Sequence, residues 1–441
     1  MKRLLSLLLC AVLALFCATT AQAASVSITL TASEYALHYA FDAGAQDPFV
    51  ILEYTTPAEK GWMMLYSEDG HFEGDVSLAY SGAGGKTSVA LTSARTTGSI
   101  GKASTTLPKA ADYQKPTGKS NAKVTDFVLT ETPEGFHYAF NAIGTDYMLL
   151  YWRSKEQTVT QPVYPDENGH YEGDVVSELT FARTQFTVQV KSGSGSMKKE
   201  ATVRKGYQAP EAPQRQEGRL SGVTVCIDAG HQENGRFVNE PIGPGLTGST
   251  SGKGGMAQGT KTNRRESIVC LEIGMLLRDE LLRQGANVVM TREDQTTFHT
   301  NIERCEIAEA GGAQIMLRLH CNNSSNRSKR GIQVYGPLNS DYAKAVADAD
   351  TYREMGQKLL DAMKTRVGMT LANSTGMVRL NDNYVGNNWA KMMCFLVEMG
   401  YLSNPAEEYL LVTPVYQQWL AEGMADGVYE IAVARGWVQA Q

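Results

Sequence analysis

Two stretches of this 441-residue chain return at one fixed offset. HYAFDA (38–43) recurs as HYAFNA (137–142), and DGHFEGDV (69–76) recurs as NGHYEGDV (168–175), each 99 residues further on. Two separate matches with one offset make the first half a single module present twice. Within each copy apolar and polar residues alternate over short runs: VSITLTA and TSVALTSA in the first, VTDFVLTE and TQFTVQV in the second. Alternation places every second side chain on one face of a strand. EDGH and ENGH read as tight turns between strands. Short strands over about 90 residues predict a β-sandwich-like fold, here at residues 24–116 and again at 122–207. Polar, proline-bearing stretches, LPKAADYQKPTGKSN and GYQAPEAPQRQEG, follow the copies, and the linker before the second half is expected at 208–220. His38, His71, His137 and His170 sit at repeated positions, so they mark one structural place twice rather than a metal site.

The N-terminus reads as a targeting segment. Lys2 and Arg3 precede an apolar stretch at 4–18, and AQA at 21–23 has the small-x-small form of a cleavage site. That predicts a signal peptide over residues 1–23 and a secreted or cell-envelope protein of bacterial type. The apolar core is shorter than the ~20 residues that span a bilayer, and no other stretch is long and apolar enough to do so. Cys10 and Cys17 lack a lipoprotein context. The other five cysteines, Cys226, Cys270, Cys305, Cys321 and Cys394, are an odd number, which leaves at least one free thiol. Cys226, Cys270 and Cys394 lie in apolar runs, as small core residues do. A net charge of −6 argues against non-specific nucleic-acid binding.

The texture changes at Leu220. VTVCID, NVVMT, QIMLRL, IQVYG and MMCFLV have the character of strands, and helical patterns cover 265–283, 302–310, 342–366 and 404–436, the last with Asn404 as cap and Pro405 at its first position. Strands alternating with helices predict one α/β domain at 221–441, with a mostly parallel sheet flanked by helices. In such sheets function gathers beyond the carboxyl ends of the strands. VTVCIDAGH ends at His231, QIMLRLH at His320 and MMCFLVE at Glu398. The third histidine of this half, His299, lies in the polar stretch QTTFHTN and reads as an exposed loop residue.

A further carboxylate joins them from the helix after the first strand. Val269, Cys270, Ile273, Leu277 and Leu281 form its apolar stripe, and Glu266 begins that stripe in the first turn. Glu266 therefore faces inward at the functional edge, whereas Glu272 is rotated roughly 120° away. A carboxylate there also suits the helix dipole. Two imidazoles and a carboxylate, His231, His320 and Glu266, are the donor set of a catalytic zinc ion with a fourth place left for water. Glu398 would then carry protons between water and a leaving nitrogen. The competing reading pairs Glu398 with a distant arginine, Arg292, Arg318 or Arg379.

At these residues the C-terminal half, about 222–436, resembles the zinc-dependent N-acetylmuramoyl-L-alanine amidases, a family of cell-wall amidases. IDAGH, Glu266 followed by Leu271, VVMTREDQ, IERCEIA with Arg304, LRLHCNN and FLVEMGYLSNPAEEYLL carry the likeness. The resemblance implies peptidoglycan as substrate and hydrolysis of the amide between the lactyl group of N-acetylmuramic acid and L-alanine. It implies one zinc ion on His231, Glu266 and His320, with Glu398 as acid/base residue. Two departures stand out: Arg318 and Cys321 around the second histidine, and a long glycine-rich segment at 232–263 containing EPIGPG. A loop that long in a compact domain is usually functional or disordered, and beside a metal it reads as shaping the substrate site. A zinc peptidase cutting within the stem peptide, and a wall-binding protein with a decayed catalytic domain, are the alternatives. The two β-modules would dock on a cell-surface polymer or space the domain from its anchor.

Overall fold

The structure is a computed structural model. It describes residues 26–440 apart from 97, 155–156, 177–182, 194, 205–208, 233–237, 251–254 and 369–376. The expected signal peptide lies outside the described residues. The chain divides into two compact units after Gln114. Among the described residues no helix is long and apolar enough to cross a membrane.

The described residues of the first unit form seven strands: β1 (Ile28–Ser33), β2 (Ala36–Asp42), β3 (Phe49–Thr55), β4 (Glu59–Tyr66), β5 (His71–Ser77), β6 (Gly85–Ser93) and β7 (Ser99–Leu107). They form two antiparallel sets, β1-β2-β5 and β4-β3-β6-β7. Leu37, Tyr39 and Phe41 of β2 and Phe72 and Val76 of β5 meet Val50, Leu52, Val89 and Leu91 of the other set in one buried core. Alternating burial along β6 leaves every other residue outward.

The second unit opens with the same arrangement. Its strands are β8 (Thr125–Thr132), β9 (Gly135–Asn141), β10 (Met148–Arg153), β11 (Gln157–Val163), β12 (His170–Val176), β13 (Arg183–Ser192) and β14 (Gly195–Arg204). Their order, β8-β9-β12 and β11-β10-β13-β14, repeats that of the first seven. The turns before β5 and β12 place Gly70 and Gly169 at φ of +83° and +78°, where a side chain would be strained.

The four repeated histidines are cross-strand partners of carboxylates or an amide. His38 stands opposite Asp75 in register and His71 opposite Asp42; His137 stands opposite Asp174 and His170 opposite Asn141. Their Nδ1 atoms lie 3.1, 2.7, 2.9 and 2.7 Å from those partners. Such pairs are the sheet's counterpart of helical i,i+4 contacts.

The rest of the second unit is an α/β domain. In chain order it runs β15 (Thr224–Ala229), α1 (Glu266–Arg283), β16 (Asn287–Met290), α2 (Asn301–Ala310), β17 (Ile315–Asn322), β18 (Gln333–Gly336), α3 (Asp341–Val346), α4 (Ala349–Val367), β19 (Met377–Leu380), α5 (Val385–Trp389), β20 (Met393–Tyr401), α6 (Glu407–Leu411) and α7 (Pro414–Ala434). The sheet order is β16-β15-β17-β20-β18-β19. It is a mixed sheet: β16, β15, β17 and β20 run parallel, but β18 is antiparallel to β20. The apolar stripe of α1, Val269 to Leu281, is fully buried.

Two expected helices are each broken in two. The stretch 342–366 stops at Ala347, whose backbone is extended, and restarts where Asp348 accepts from Thr351 N at 2.7 Å. The stretch from 404 stops after α6, where Thr413 Oγ1 bonds back to Tyr409 O, and restarts at Pro414, whose missing N–H costs nothing in a first turn. Asn404 does take backbone donors, from Ala406 and Glu407.

The modules generate one prediction. Asp174, ahead of burial in the opposite sense, raises the pKa of His137 above its ordinary value. Its contribution to stability is thus complete below the unfolded imidazole pKa of ~6.5 and is lost as pH rises through the higher folded value. In an NMR titration of the full chain, Asp174→Asn should lower the His137 midpoint and leave that of His71 unchanged.

Candidate metal centre

The edge of the sheet is set by a buried ion cluster. Asp228 ends the apolar run of β15 and is fully buried. Its register neighbour on β17 is Arg318, whose Nε donates to it at 2.9 Å. Arg304 of α2 donates to the other carboxylate oxygen, and Thr291 Oγ1 adds a bond of 2.8 Å. Burial opposes ionisation of Asp228, but the two guanidinium groups hold its pKa far below the usual range.

Arg304 also reaches Ala229 O at 2.9 Å and His231 O at 3.2 Å. Arg292 adds Ala229 O at 2.8 Å, Gly230 O at 2.9 Å and Ser267 O at 2.7 Å. These bonds hold His231 in the left-handed region, φ +57°, a conformation that strains a residue with a Cβ. Gly230 is required beside it: a Cβ there would fall 2.4 Å from Leu319 O and 2.6 Å from His320 Cε1.

Three side chains converge beyond that turn. Glu266 begins α1 and is buried. Its Oε1 lies 3.1 Å from His231 Nε2 and 3.0 Å from His320 Nδ1. Cys321 N donates to the same oxygen at 3.0 Å, and Ala257 N to Oε2 at 2.8 Å, which fixes the carboxylate in plane. One ligand atom from each of the three residues lies within 4.8 Å of the others. Atoms around a tetrahedral zinc ion with bonds of about 2.0–2.2 Å lie roughly 3.3–3.6 Å apart, so small adjustments would admit the ion. His320 Nε2 is buried without a hydrogen-bond partner. Burial lowers the His320 pKa, which favours the neutral imidazole that metals bind. Burial works against the Glu266 charge, yet the bonds from His231 and His320 keep its pKa well below the carboxylate range.

Glu398 stands beside His320 in register on β20. Its Oε2 is buried without a partner. Burial, then the charge of Glu266, pushes its pKa up to about 8. Of the arginines named as alternative partners, Arg318 serves Asp228, Arg292 serves the 229–230 turn, and Arg379 stands on β19, two strands away from Glu398. Glu272, as its rotation implied, faces away and bonds Arg264 and Gln417. His299 differs from expectation: it is half-buried and lines the groove.

The groove has a volume of about 1180 Å³. The described part of the glycine-rich segment forms one wall, with Val238, Glu240 and Leu246. Glu240 is pinned to the start of α2, accepting from Ile302 N at 2.8 Å and Asn301 Nδ2 at 2.7 Å. Trp389 Nε1 and Asn388 Nδ2 donate to Pro241 O and Ile242 O at 2.8 and 3.1 Å. The sequence reading passed over Glu240 and the Asp228 cluster. Opposite charges inside two apolar strands, Asp228 and Arg318, were the available signal.

Two imidazoles and a carboxylate at the carboxyl edge of an α/β sheet, with an unpartnered carboxyl one strand away, have the make-up of a metallohydrolase site. Residues 225–430 match the model of the N-acetylmuramoyl-L-alanine amidase family (Amidase_3). The chain is 26% identical over 231 residues to the germination-specific N-acetylmuramoyl-L-alanine amidase of Bacillus subtilis, covering 49% of this chain and 83% of that one. It is 27% identical over 218 residues to the probable cell wall amidase LytH of Staphylococcus aureus, covering 48% of this chain and 60% of that one. Among solved structures it is similar to an N-acetylmuramoyl-L-alanine amidase from Clostridium difficile 630, with 24% identity, a TM-score of 0.38, and coverage of 48% of this chain and 96% of that one.

The buried cluster makes a stability prediction. Asp228→Ala strands two guanidinium groups and should cost about 3–5 kcal/mol in urea unfolding. Because the folded-state pKa is depressed, the Asp228 contribution is full above the unfolded value near ~4 and declines as pH falls below it.

Proposed function

We propose that this chain is a zinc-dependent, exported peptidoglycan amidase that cuts between the lactyl group of N-acetylmuramic acid and the L-alanine of the stem peptide. The observation that carries the reading is the convergence of His231, His320 and Glu266 next to a buried carboxyl oxygen of Glu398 that has no partner. The match of residues 225–430 to the N-acetylmuramoyl-L-alanine amidase family supports the bond assignment. His231, Glu266 and His320 would hold the ion, whose donor set of two nitrogens and one oxygen suits zinc. Zinc bound there supplies Lewis acidity to the scissile carbonyl and acidifies a water.

The chain's own residues do the rest. Glu398, one of whose carboxyl oxygens is buried without a partner, accepts a proton from the attacking water and returns it to the departing amide nitrogen as the carbon–nitrogen bond breaks. Cys321 N and Ala257 N keep Glu266 oriented, and Arg304 and Arg292 keep the His231 turn closed. The glycine-rich wall shapes the groove along which the polymer lies. Residues 1–23 direct export, which brings the enzyme to a substrate outside the cell membrane. The two β-modules dock on a cell-surface polymer.

A digest of purified peptidoglycan followed by mass analysis tests the reading. Intact peptides beginning with L-alanine should appear, disappear with a chelator and return with zinc. Fragments cut within the stem would instead indicate a peptidase, and binding without release a wall-binding protein. Glu398→Gln should retain one zinc per chain and lose about 10²–10⁴-fold in turnover. His231→Ala should lose the metal itself, read by metal analysis after dialysis.

A further inference from the structure

The groove does not stop at Glu398. A second depression of about 580 Å³ opens beyond it, sharing Asn322 and Asn323 as walls. The two parts differ in charge. The depression is bordered by Lys329, Arg330 and Arg379, and no carboxylate is among its lining residues. The main groove carries Glu240, Glu266, Asp382 and Glu398, and its arginines, Arg304 and Arg318, are buried on Asp228.

Strand register fixes where the cationic part lies. His320 of β17, Glu398 of β20 and Gln333 of β18 stand in one row across the sheet. Arg379 of β19 is the register partner of Tyr335, two residues beyond Gln333. Partners in a row project to the same face, as do residues two apart on a strand. Glu398, Gln333, Tyr335 and Arg379 therefore share a face. The hydroxyls of Tyr335 and Tyr401 donate to Gln333 Oε1 at 2.7 and 3.4 Å, which makes an uncharged polar floor between Glu398 and the cations.

We infer that this depression is the subsite for the leaving peptide, and that it selects stem peptides with a free carboxylate on the second or third residue. The inference rests on the amidase reading above. Two strand spacings across the sheet and two residues along it separate Glu398 from Arg379, roughly 12 Å. An extended peptide covers about 3.3–3.6 Å per residue, so a chain cut beside Glu398 brings its second or third residue within reach of the guanidinium. The glycan, whose sugars need no cation, lies along the other arm, over the glycine-rich wall. The charge difference thus sets the direction in which the substrate lies.

The test uses the full-length, zinc-loaded protein and two N-acetylmuramoyl tetrapeptides. They are identical except that the carboxylates of residues two and three are free in one and carboxamides in the other. The wild type should favour the free acid about tenfold in kcat/KM. Arg379→Gln combined with Lys329→Gln should abolish the preference by raising KM for the acid alone, with kcat and the carboxamide substrate unaffected. Both side chains are exposed, so the fold should tolerate the change. Equal handling of the two substrates by the wild type, or an equal loss on both in the double variant, overturns the subsite and leaves the amidase reading standing. Calorimetry with the free tetrapeptides separates the other case. If the acid form binds more tightly and needs Arg379, yet no lactyl amide is cut, the peptide subsite stands and the amidase reading falls.

Discussion

Asp228 is a carboxylate closed off from water between two guanidinium groups, and the geometry of the candidate metal-binding edge follows from that pairing. A buried charge costs several kcal/mol unless partners replace its hydration. Its partners come from separate elements: Arg318 from β17, Arg304 from α2, and Thr291 just after β16. The charge is satisfied only when those elements sit at one spacing. Arg304 then carries the constraint outward, since the same guanidinium that neutralises Asp228 also bonds Ala229 O and His231 O. A strained left-handed residue is thereby held at the tip of a strand, and its imidazole meets Glu266. The cluster acts on the site through the backbone, without touching the ligand atoms.

Much of this was readable from residue order, for identifiable reasons. The two modules announce themselves through one offset, and strand alternation needs no tertiary knowledge. His231, His320 and Glu398 were visible because each ends an apolar run, and a parallel α/β sheet sends such ends to one edge. Glu266 was visible because its position on the α1 stripe predicts an inward direction. The direction of β18 was not readable. IQVYG is apolar whichever way it runs, and its reversal against β20 depends on the connection between them. The ion cluster was half readable. A carboxylate and a guanidinium inside apolar strands call for each other, but their register becomes visible only once β15 and β17 are neighbours. The helix breaks were legible in hindsight from Asp348 and Pro414, where a cap and a missing donor override a continuous apolar period.

The described residues of the glycine-rich segment are fastened where they border the groove. They do not pack through large apolar side chains. They are held by polar fastenings at intervals: Glu240 on the start of α2, Pro241 and Ile242 carbonyls on Trp389 and Asn388, and Ala257 N on Glu266. Each fastening joins the segment to an element that also borders the groove. The last one makes the segment part of the candidate metal centre, because it fixes the second oxygen of a proposed ligand. Glycines between such points let the backbone turn without demanding a core of its own.

Six of the seven histidines separate into two roles by environment alone. His38, His71 and His137 are at least partly exposed, and each Nδ1 faces a carboxylate across a strand pair; His170 faces an amide in the same way. Their partners are complete, and water reaches them, so a cation there would have to displace satisfied contacts. His231 and His320 face one carboxylate oxygen together, and one ring nitrogen of His320 is buried with nothing to bond. Two imidazoles competing for a single acceptor is a poor hydrogen-bond arrangement, since a buried polar group without a partner costs about 1–3 kcal/mol. A divalent cation would relieve that deficit by turning the competing donors into co-ligands. The repeated histidines have no deficit to relieve, and this is why count and spacing of histidines are a weaker guide to metal than the number of partners each ring lacks.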